Sequence, residues 1–332
     1  MRFMLVVLMV ALMGAPAKAQ RAGEPIIDMH LHAYTLGYVA SAPACTGDQK
    51  PIQPTIDPAI EFGPSALGTC PNPIMAPASD ALNLAETVAT LKRLNIRRAV
   101  TGDALPNVAS WHAAAPTVIV PALNFAPRKP IPVEEFRRLH AQGVFSIFAE
   151  VMTQYRGVRA DDPRWEPYFA LAEELDIPIG IHLGEGPPAA ARFPGYETYR
   201  ASLTSPFQLE EVLRRHPKLR IYVMHYASPL VDEMIAMMFT HPNLYVDVSC
   251  NNWLNPPAQF HSHLKRMVDA GFEKRIMFGS DQMFWPGIIE KAVKTIDEAS
   301  YLTKQQKRDI FYNNAARFLR LTKKQIAADH AR

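Results

Sequence analysis

Eight short runs rich in Ile, Val and Leu, separated by stretches with helical periodicity, constrain this chain more than any other feature. The runs are Ile26 to His32, Arg97 to Asp103, Val118 to Phe125, Val144 to Met152, Ile177 to Leu183, Leu219 to Tyr226, Leu244 to Cys250, and Arg275 to Asp281. Helices are predicted over Asp80 to Leu94, Val133 to Gln142, Trp165 to Leu175, Pro206 to His216, Pro229 to Thr240, Pro256 to Ala270, and Gly287 to Ala299. Several open on Pro, whose missing N–H is no loss in a first turn. Strands alternating with helices in this way build parallel sheets from βα units. The pattern suits a closed barrel of about 250 residues and a doubly wound sheet equally well. The polar residues separate the two. In nearly every run the chemically interesting residue closes the strand, and barrel enzymes keep their sites on that face. A doubly wound nucleotide binder would carry a Gly-rich turn after its first strand, and none follows His32. The expected fold is therefore α/β, a (β/α)8 TIM-type barrel.

The chain has 332 residues, 48% of them hydrophobic and 20% charged, which is enough apolar material for one large core. Residues 33–77 form a long Pro-rich insertion after the first strand, too long for an ordinary βα loop, and are expected to wall or cover the active face. A loose surface excursion is the alternative. Lys304 to Leu321 reads as terminal helices with a break and restart at Tyr312 to Ala316, followed by a polar tail expected to fray.

The first residues combine a basic Arg2, an apolar run from Phe3 to Met13 and the small-x-small motif Ala17-Lys18-Ala19. That is the form of a signal peptide over residues 1–19, and the run is too short to span a membrane. The mature domain is expected to be 20–332, periplasmic or secreted, with no membrane anchor after cleavage. The chain carries 35 Lys and Arg against 32 Asp and Glu. Losing Arg2 and Lys18 with the leader leaves a net charge of +1, which gives no footprint for nucleic acid. The expected partner is a small-molecule substrate, with room left for a homo-oligomer. In an exported chain disulfides persist. Cys45 and Cys70 share the insertion and are the natural pair, leaving Cys250 free; three reduced thiols are the alternative.

His30-Leu31-His32 is the most informative tripeptide. Residues two apart on a strand point to the same side, so both imidazoles can face the barrel axis and share an ion. A second HxH, His261-Ser262-His263, falls in a helical stretch where such residues diverge, and is expected to be solvated surface. Further ligand-type residues close other strands: His182, His225 and Asp281. A merely structural His at the end of an apolar strand would need a buried partner.

In order and strand placement these residues resemble the amidohydrolase superfamily. Its pattern is HxH on the first strand (His30, His32), a bridging acid or lysine on the fourth, His on the fifth (His182) and sixth (His225), and Asp on the eighth (Asp281). Ile27 to His32, His182-Leu183-Gly184-Glu185, Gly279-Ser280-Asp281 and Asn313 to Leu319 look most like the amidohydrolase-related branch, which includes lactonases and non-oxidative decarboxylases. Glu150, in Phe148-Ala149-Glu150-Val151, stands where the commoner version has lysine, and a carboxylate can bridge two ions. The resemblance implies a metal-dependent hydrolase with a divalent metal, zinc, one or two ions per chain. The one-ion alternative has His30, His32, His182 and Asp281 as ligands, with His225 acting on substrate.

The activity implied is cleavage of an amide, ester or lactone by metal-activated water. Asp281 would carry the proton from water to leaving group, and His225 or a second ion would polarise the carbonyl. The alternative is non-oxidative decarboxylation of an aromatic or unsaturated acid, with Asp281 protonating carbon. A nuclease and a non-enzymatic binding protein on the same scaffold are weaker rivals. A Ser or Cys nucleophile finds no support, since GxSxG is absent and Cys250 has no evident base. Substrate-facing candidates beyond the strand ends are Tyr34, Arg156 and Trp253, then Trp111, Tyr155, Arg192, Phe284 and Trp285, a set suited to a partly apolar substrate bearing a carboxylate.

Overall fold

The computed structural model describes residues 23–38, 43–49, 70–125, 130–186, 190 and 196–331. The leader, Arg192 and the middle of the insertion lie outside these residues.

Eight parallel strands form the centre: β1 (Ile26–His32), β2 (Ile96–Asp103), β3 (Ile119–Leu123), β4 (Phe148–Val151), β5 (Ile179–His182), β6 (Ile221–Met224), β7 (Leu244–Asp247) and β8 (Ile276–Met277). They pair in chain order as β1-β2-β3 and β4-β5-β6-β7-β8. Two seams join the groups into a barrel. At one, Leu123 N–H donates to Ile147 O at 2.9 Å and Phe125 N–H to Glu150 O at 3.0 Å. At the other, Met29 N–H donates to Phe278 O at 2.9 Å and His32 N–H to Gln282 O at 2.9 Å. With both seams bonded, none of these eight strands leaves an edge open to other chains. The regular part of β8 is shorter than the Arg275 to Asp281 run suggests, because beyond Met277 the chain leaves β7 and its backbone bonds to β1, to Ile310 O and to the side chains of Asn252 and Trp253.

The helices are α1 (Asp80–Arg93), α2 (Leu105–Ala114), α3 (Val133–Ala141), α4 (Glu166–Glu174), α5 (Glu210–Arg215), α6 (Val231–Thr240), α7 (Asn251–Leu254), α8 (Pro257–Asp269), α9 (Gly287–Asp297), α10 (Lys304–Arg308), α11 (Asn314–Phe318) and α12 (Lys323–His330). The longer ones cover the barrel's outside. No helix among the described residues is long and apolar enough to cross a membrane.

Two apolar layers result. The larger lies between strands and helices. The smaller fills the barrel with Ile27, Met29, Val100, Ala122, Ile147, Ala149, Tyr222, Met224 and Met277, and is closed below by Tyr312, Ala315, Ala316 and Phe318. Tyr222 spans the interior and donates to Met29 O at 3.0 Å. It has room because the facing residue is Gly180, where a Cβ would lie 2.5 Å from its ring.

Four expectations need correction. The helix α2 was not foreseen, because only ten residues with Pro near the start carry it. The segment from Tyr312 does not break but passes from α10 through a π-helical turn, Asp309–Asn313, into α11. The polar tail is the helix α12 rather than a frayed end. Thr322 caps it in a capping box with Gln325, and Asp329 is tied to Arg98 at 2.9 Å and to the Tyr312 hydroxyl at 2.8 Å. The fourth concerns His261 and His263 on α8, which are half-buried rather than solvated and reach the hydroxyls of Tyr301 and Tyr226.

In the described part of the insertion Ala44 pairs with Ile74 in antiparallel sense. Cys45 is joined to Cys70, and Cys250 is free. Gly47 N–H donates to Trp253 O at 2.9 Å and Asp48 pairs with Lys291 at 2.5 Å, so this part docks against α7 and α9 beside the barrel mouth.

Candidate metal centre

Simple alternation cannot put Met29 inside the barrel and His30 and His32 in its mouth, since odd and even positions face opposite sides. Pairing of β1 with β2 is irregular between Asp28 and Leu31, and this bulge switches which positions face the axis. Pairing of β4 with β5 is irregular between Phe148 and Val151, so Ala149 fills the interior while Glu150 enters the mouth. Bulges beside active sites re-aim side chains in this manner.

The two remaining turns use left-handed backbone. His225 (φ 62°) and Asp281 (φ 53°) follow β6 and β8, a conformation costing about 1–3 kcal/mol for a non-glycine residue. Hydrogen bonds hold each in place. His225 N–H donates to Asp247 Oδ1 at 2.9 Å and Asp281 N–H to His30 O at 2.7 Å. Asp28 Oδ1 accepts from His30 N–H at 3.0 Å and Ser280 N–H at 2.9 Å, locking β1 to the Asp281 turn. Asn124 Oδ1 accepts from Glu150 N–H at 2.8 Å. Gly184 leaves space for His225, whose Cβ would lie 2.8 Å from a Cβ there.

These constraints bring His30, His32, Glu150, His182, His225 and Asp281 together, all buried. His30 and His32 Nε2 lie 3.1 Å apart, and Asp281 Oδ1 lies 3.4 and 3.0 Å from them. The two oxygens of Glu150 face different histidines. Oε2 is 3.8 and 3.6 Å from His30 and His32, while Oε1 is 3.8 and 3.9 Å from His182 and His225. Three overlapping triads have their ligand atoms within 4.8 Å of one another: His30, His32, Glu150; Glu150, His182, His225; and His30, His225, Asp281.

The electrostatics call for cations. Burial opposes ionisation of Glu150 and Asp281, yet the surrounding imidazoles hold both carboxyls below their ordinary range. Burial likewise opposes protonation of His30, but Asp281, Asp247 and Glu150 raise its pKa well above normal. Burial pushes His182 down to about 3 and Asp28 up to about 6. Four carboxylates, of Asp28, Glu150, Asp247 and Asp281, are thus sunk in the barrel mouth, and no Lys or Arg is among the buried described residues. Imidazole and carboxylate donors converging in such a field fit a divalent ion.

Sequence reasoning missed the residues that aim the ligands. Gln154, in the turn after β4, donates from Nε2 to Gly184 O at 2.9 Å. Its Oε1 accepts from Gly184 N–H at 3.2 Å and faces His182 Nδ1 at 3.1 Å. Tyr155 was foreseen only as a general candidate, and its hydroxyl lies 3.0 Å from His182 Nε2. Tyr34 stacks on His32 with centroids 4.2 Å apart and has Phe284 at 5.7 Å. Arg156 is half-buried in the same turn as Gln154. Two aromatic candidates take other work. Trp253 is 4% exposed and its indole N–H donates to Ser280 O at 2.8 Å, bracing the Asp281 turn. Trp111 lies in the outer core. Cys250 sits beside Asp281, and burial with that neighbouring carboxylate raises its thiol well above the range of a reactive thiolate.

A parallel barrel carrying this ligand set at its C-terminal mouth defines a class, the divalent-metal enzymes built on the TIM barrel. The chain belongs to the amidohydrolase family, whose model matches residues 27–321. No curated protein matches the sequence. Among solved structures, an uncharacterised TIM-barrel protein of Bordetella bronchiseptica superposes with TM-score 0.59 at 19% identity, over 91% of this chain and 99% of that one. A probable 2-pyrone-4,6-dicarboxylic acid hydrolase of Acinetobacter baumannii, with citric acid bound, gives 0.56 at 13% identity over 89% and 99%. A 5-carboxyvanillate decarboxylase of Novosphingobium aromaticivorans, complexed with manganese and 4-hydroxy-3-methoxy-5-nitrobenzoic acid, gives 0.52 at 18% identity over 70% and 79%.

Proposed function

We propose that the protein hydrolyses an amide, ester or lactone bond of a small organic substrate, using zinc held by His30, His32, Glu150, His182, His225 and Asp281, and that it does so after export. The observation that carries the reading is Glu150, whose two oxygens face two separate histidine pairs. Such a disposition would let the carboxylate be shared by two ions. Charge balance supports the same count, since two divalent cations offset four buried carboxylates. When bound, such ions supply Lewis acidity to a carbonyl oxygen and make water nucleophilic near neutral pH.

The chain's own residues do the rest. Asp281, ionised and within 3.0 Å of His32 Nε2, is placed to take a proton from the attacking water and return it to the leaving group. His225, with Nδ1 3.1 Å from Ser249 O, presents Nε2 to the cluster. If a single ion is held, His225 polarises the carbonyl. Tyr34 and Tyr155 flank the ligands and give the substrate apolar faces with hydroxyl donors. The same rings favour decarboxylation of an aromatic acid as the second reading, in which Asp281 would protonate carbon, and solved relatives of similar fold include both kinds of enzyme.

Metal analysis of the purified mature chain, then a panel of lactones, esters, amides and aromatic carboxylates, tests this. Two equivalents per chain and hydrolysis without carbon dioxide are expected, read as proton release from a lactone or ester and as free amine from an amide, with Glu150→Gln losing one equivalent. Carbon dioxide release from the carboxylates alone would establish the second reading.

A further inference from the structure

Beyond the ligands, β7 ends at Asp247 and is followed by Val248-Ser249, and the polar groups at this strand end touch two of the ligand histidines at once. The Ser249 hydroxyl is 2.6 Å from Asp247 Oδ1, 2.8 Å from His30 Nδ1 and 3.2 Å from His225 Nδ1. Asp247 Oδ1 also accepts from the N–H groups of His225 at 2.9 Å and Ser249 at 3.1 Å. Both residues are fully buried.

A serine hydroxyl has one proton and two lone pairs. At 2.6 Å from a carboxylate oxygen the proton must lie on that line, since two facing lone pairs would repel. The hydroxyl can then only accept from the two imidazoles, which requires a proton on Nδ1 of each. Two further contacts agree. His225 Nδ1 is 3.1 Å from Ser249 O, a carbonyl that only accepts. His30 Nδ1 is also 3.4 Å from Asp247 Oδ2, a buried acceptor with no hydrogen-bond partner among the described residues. With Nδ1 protonated, each ring turns its Nε2 lone pair into the ligand cluster.

We infer that Asp247 and Ser249 are positioning residues that set His30 and His225 in one tautomer through a single shared hydroxyl, preparing ligands from two separate strands together. The inference rests on the metal-centre reading above. Partners of this kind typically contribute 10–100-fold in metal affinity, and here one side chain serves two ligands.

The test uses the full mature chain with zinc and a competing chromophoric chelator, together with NMR of histidine ring N–H groups in the zinc-loaded protein. Ser249→Ala removes only the hydroxyl, and Asp247→Asn removes the charge that orders it. The expected result is a 10–100-fold weaker zinc affinity in each, with loss of the exchange-protected Nδ1–H signals of His30 and His225 and an unchanged signal from His182, which Gln154 holds. A purely structural role would lower the melting temperature without selecting these two signals. Zinc affinity within twofold of wild type and intact Nδ1–H signals in Ser249→Ala would overturn the inference while leaving the metal centre standing. A wild-type chain that binds no divalent ion would overturn both.

Discussion

Asp281 does two kinds of work that a single substitution can separate. In the proposed centre it would be a ligand beside His30 and His32, 3.4 and 3.0 Å away, and as an ionised carboxylate it would be the proton carrier of the proposed hydrolysis. Asp281→Asn keeps the size and the backbone hydrogen bond to His30 O, so the barrel should fold and retain metal through the histidines. Turnover of the substrate found by the panel should fall about 10²–10⁴-fold. Turnover within about tenfold of wild type in a folded, metal-loaded variant would falsify the proton-carrier role. At this scale the sequence was informative where chemistry needs rare residue types. A His or Asp closing an apolar strand is unusual enough to notice, so the side chains that converge in the barrel mouth could be named before any fold was seen. Asp247, Ser249, Gln154 and Asn124 could not, because such residues also cap turns and cover surfaces throughout any chain, and only their contacts reveal their work.

Among the elements, β5 and β6 show how tightly the barrel interior is filled. Gly180→Ala would place a methyl group against the Tyr222 ring, which is fully buried and anchored to Met29 O. Overpacking of this kind costs about 1–3 kcal/mol, so the urea midpoint should fall with no change in zinc stoichiometry; an unchanged midpoint would show that the ring can yield. The terminal helices carry a pH signature. Burial alone would raise the Asp309 carboxyl, but Lys274, Asn313 and Gln305 donate to it and hold its pKa below the ordinary value. A depressed carboxyl stabilises the fold above its unfolded pKa of about 3.9 and ceases to do so as pH falls through the native value. The stability gap between wild type and Asp309→Asn, present at pH 7 in denaturant titrations, should therefore close below about pH 4. A gap independent of pH would mean that shape, not charge, matters there. Strand positions were legible because apolar runs are short and bounded, whereas α12 was not, since its order comes from a capping box and from Asp329 reaching residues far away in sequence.

For the whole molecule, the α/β class followed from counting strands and the barrel from the polar residues that close them, whereas the contacts of the insertion did not follow, because a Pro-rich segment without periodicity does not say which helices it meets. Its described portion is closed by Cys45 and Cys70, 25 residues apart. A loop of that length contributes about 3.5 kcal/mol by the chain-entropy argument. Replacing both cysteines with serine should lower stability by up to that amount, and thiol titration of the denatured wild-type chain should find Cys250 alone. Three thiols would remove the crosslink. We propose export on the leader-like start of the chain, and N-terminal sequencing of the mature protein at or near Gln20 would establish it.

The ligand cluster draws on β1 at one end of the chain and on the turn after β8 at the other. A ribosome making this protein delivers His30 and His32 early and Asp281 almost last, and the Asp281 turn takes its shape only when the final strand bonds to the first. A nascent chain therefore has imidazoles but no finished site. Connectivity makes completion of the centre a late event, one that waits for the last strand to close the barrel against the first.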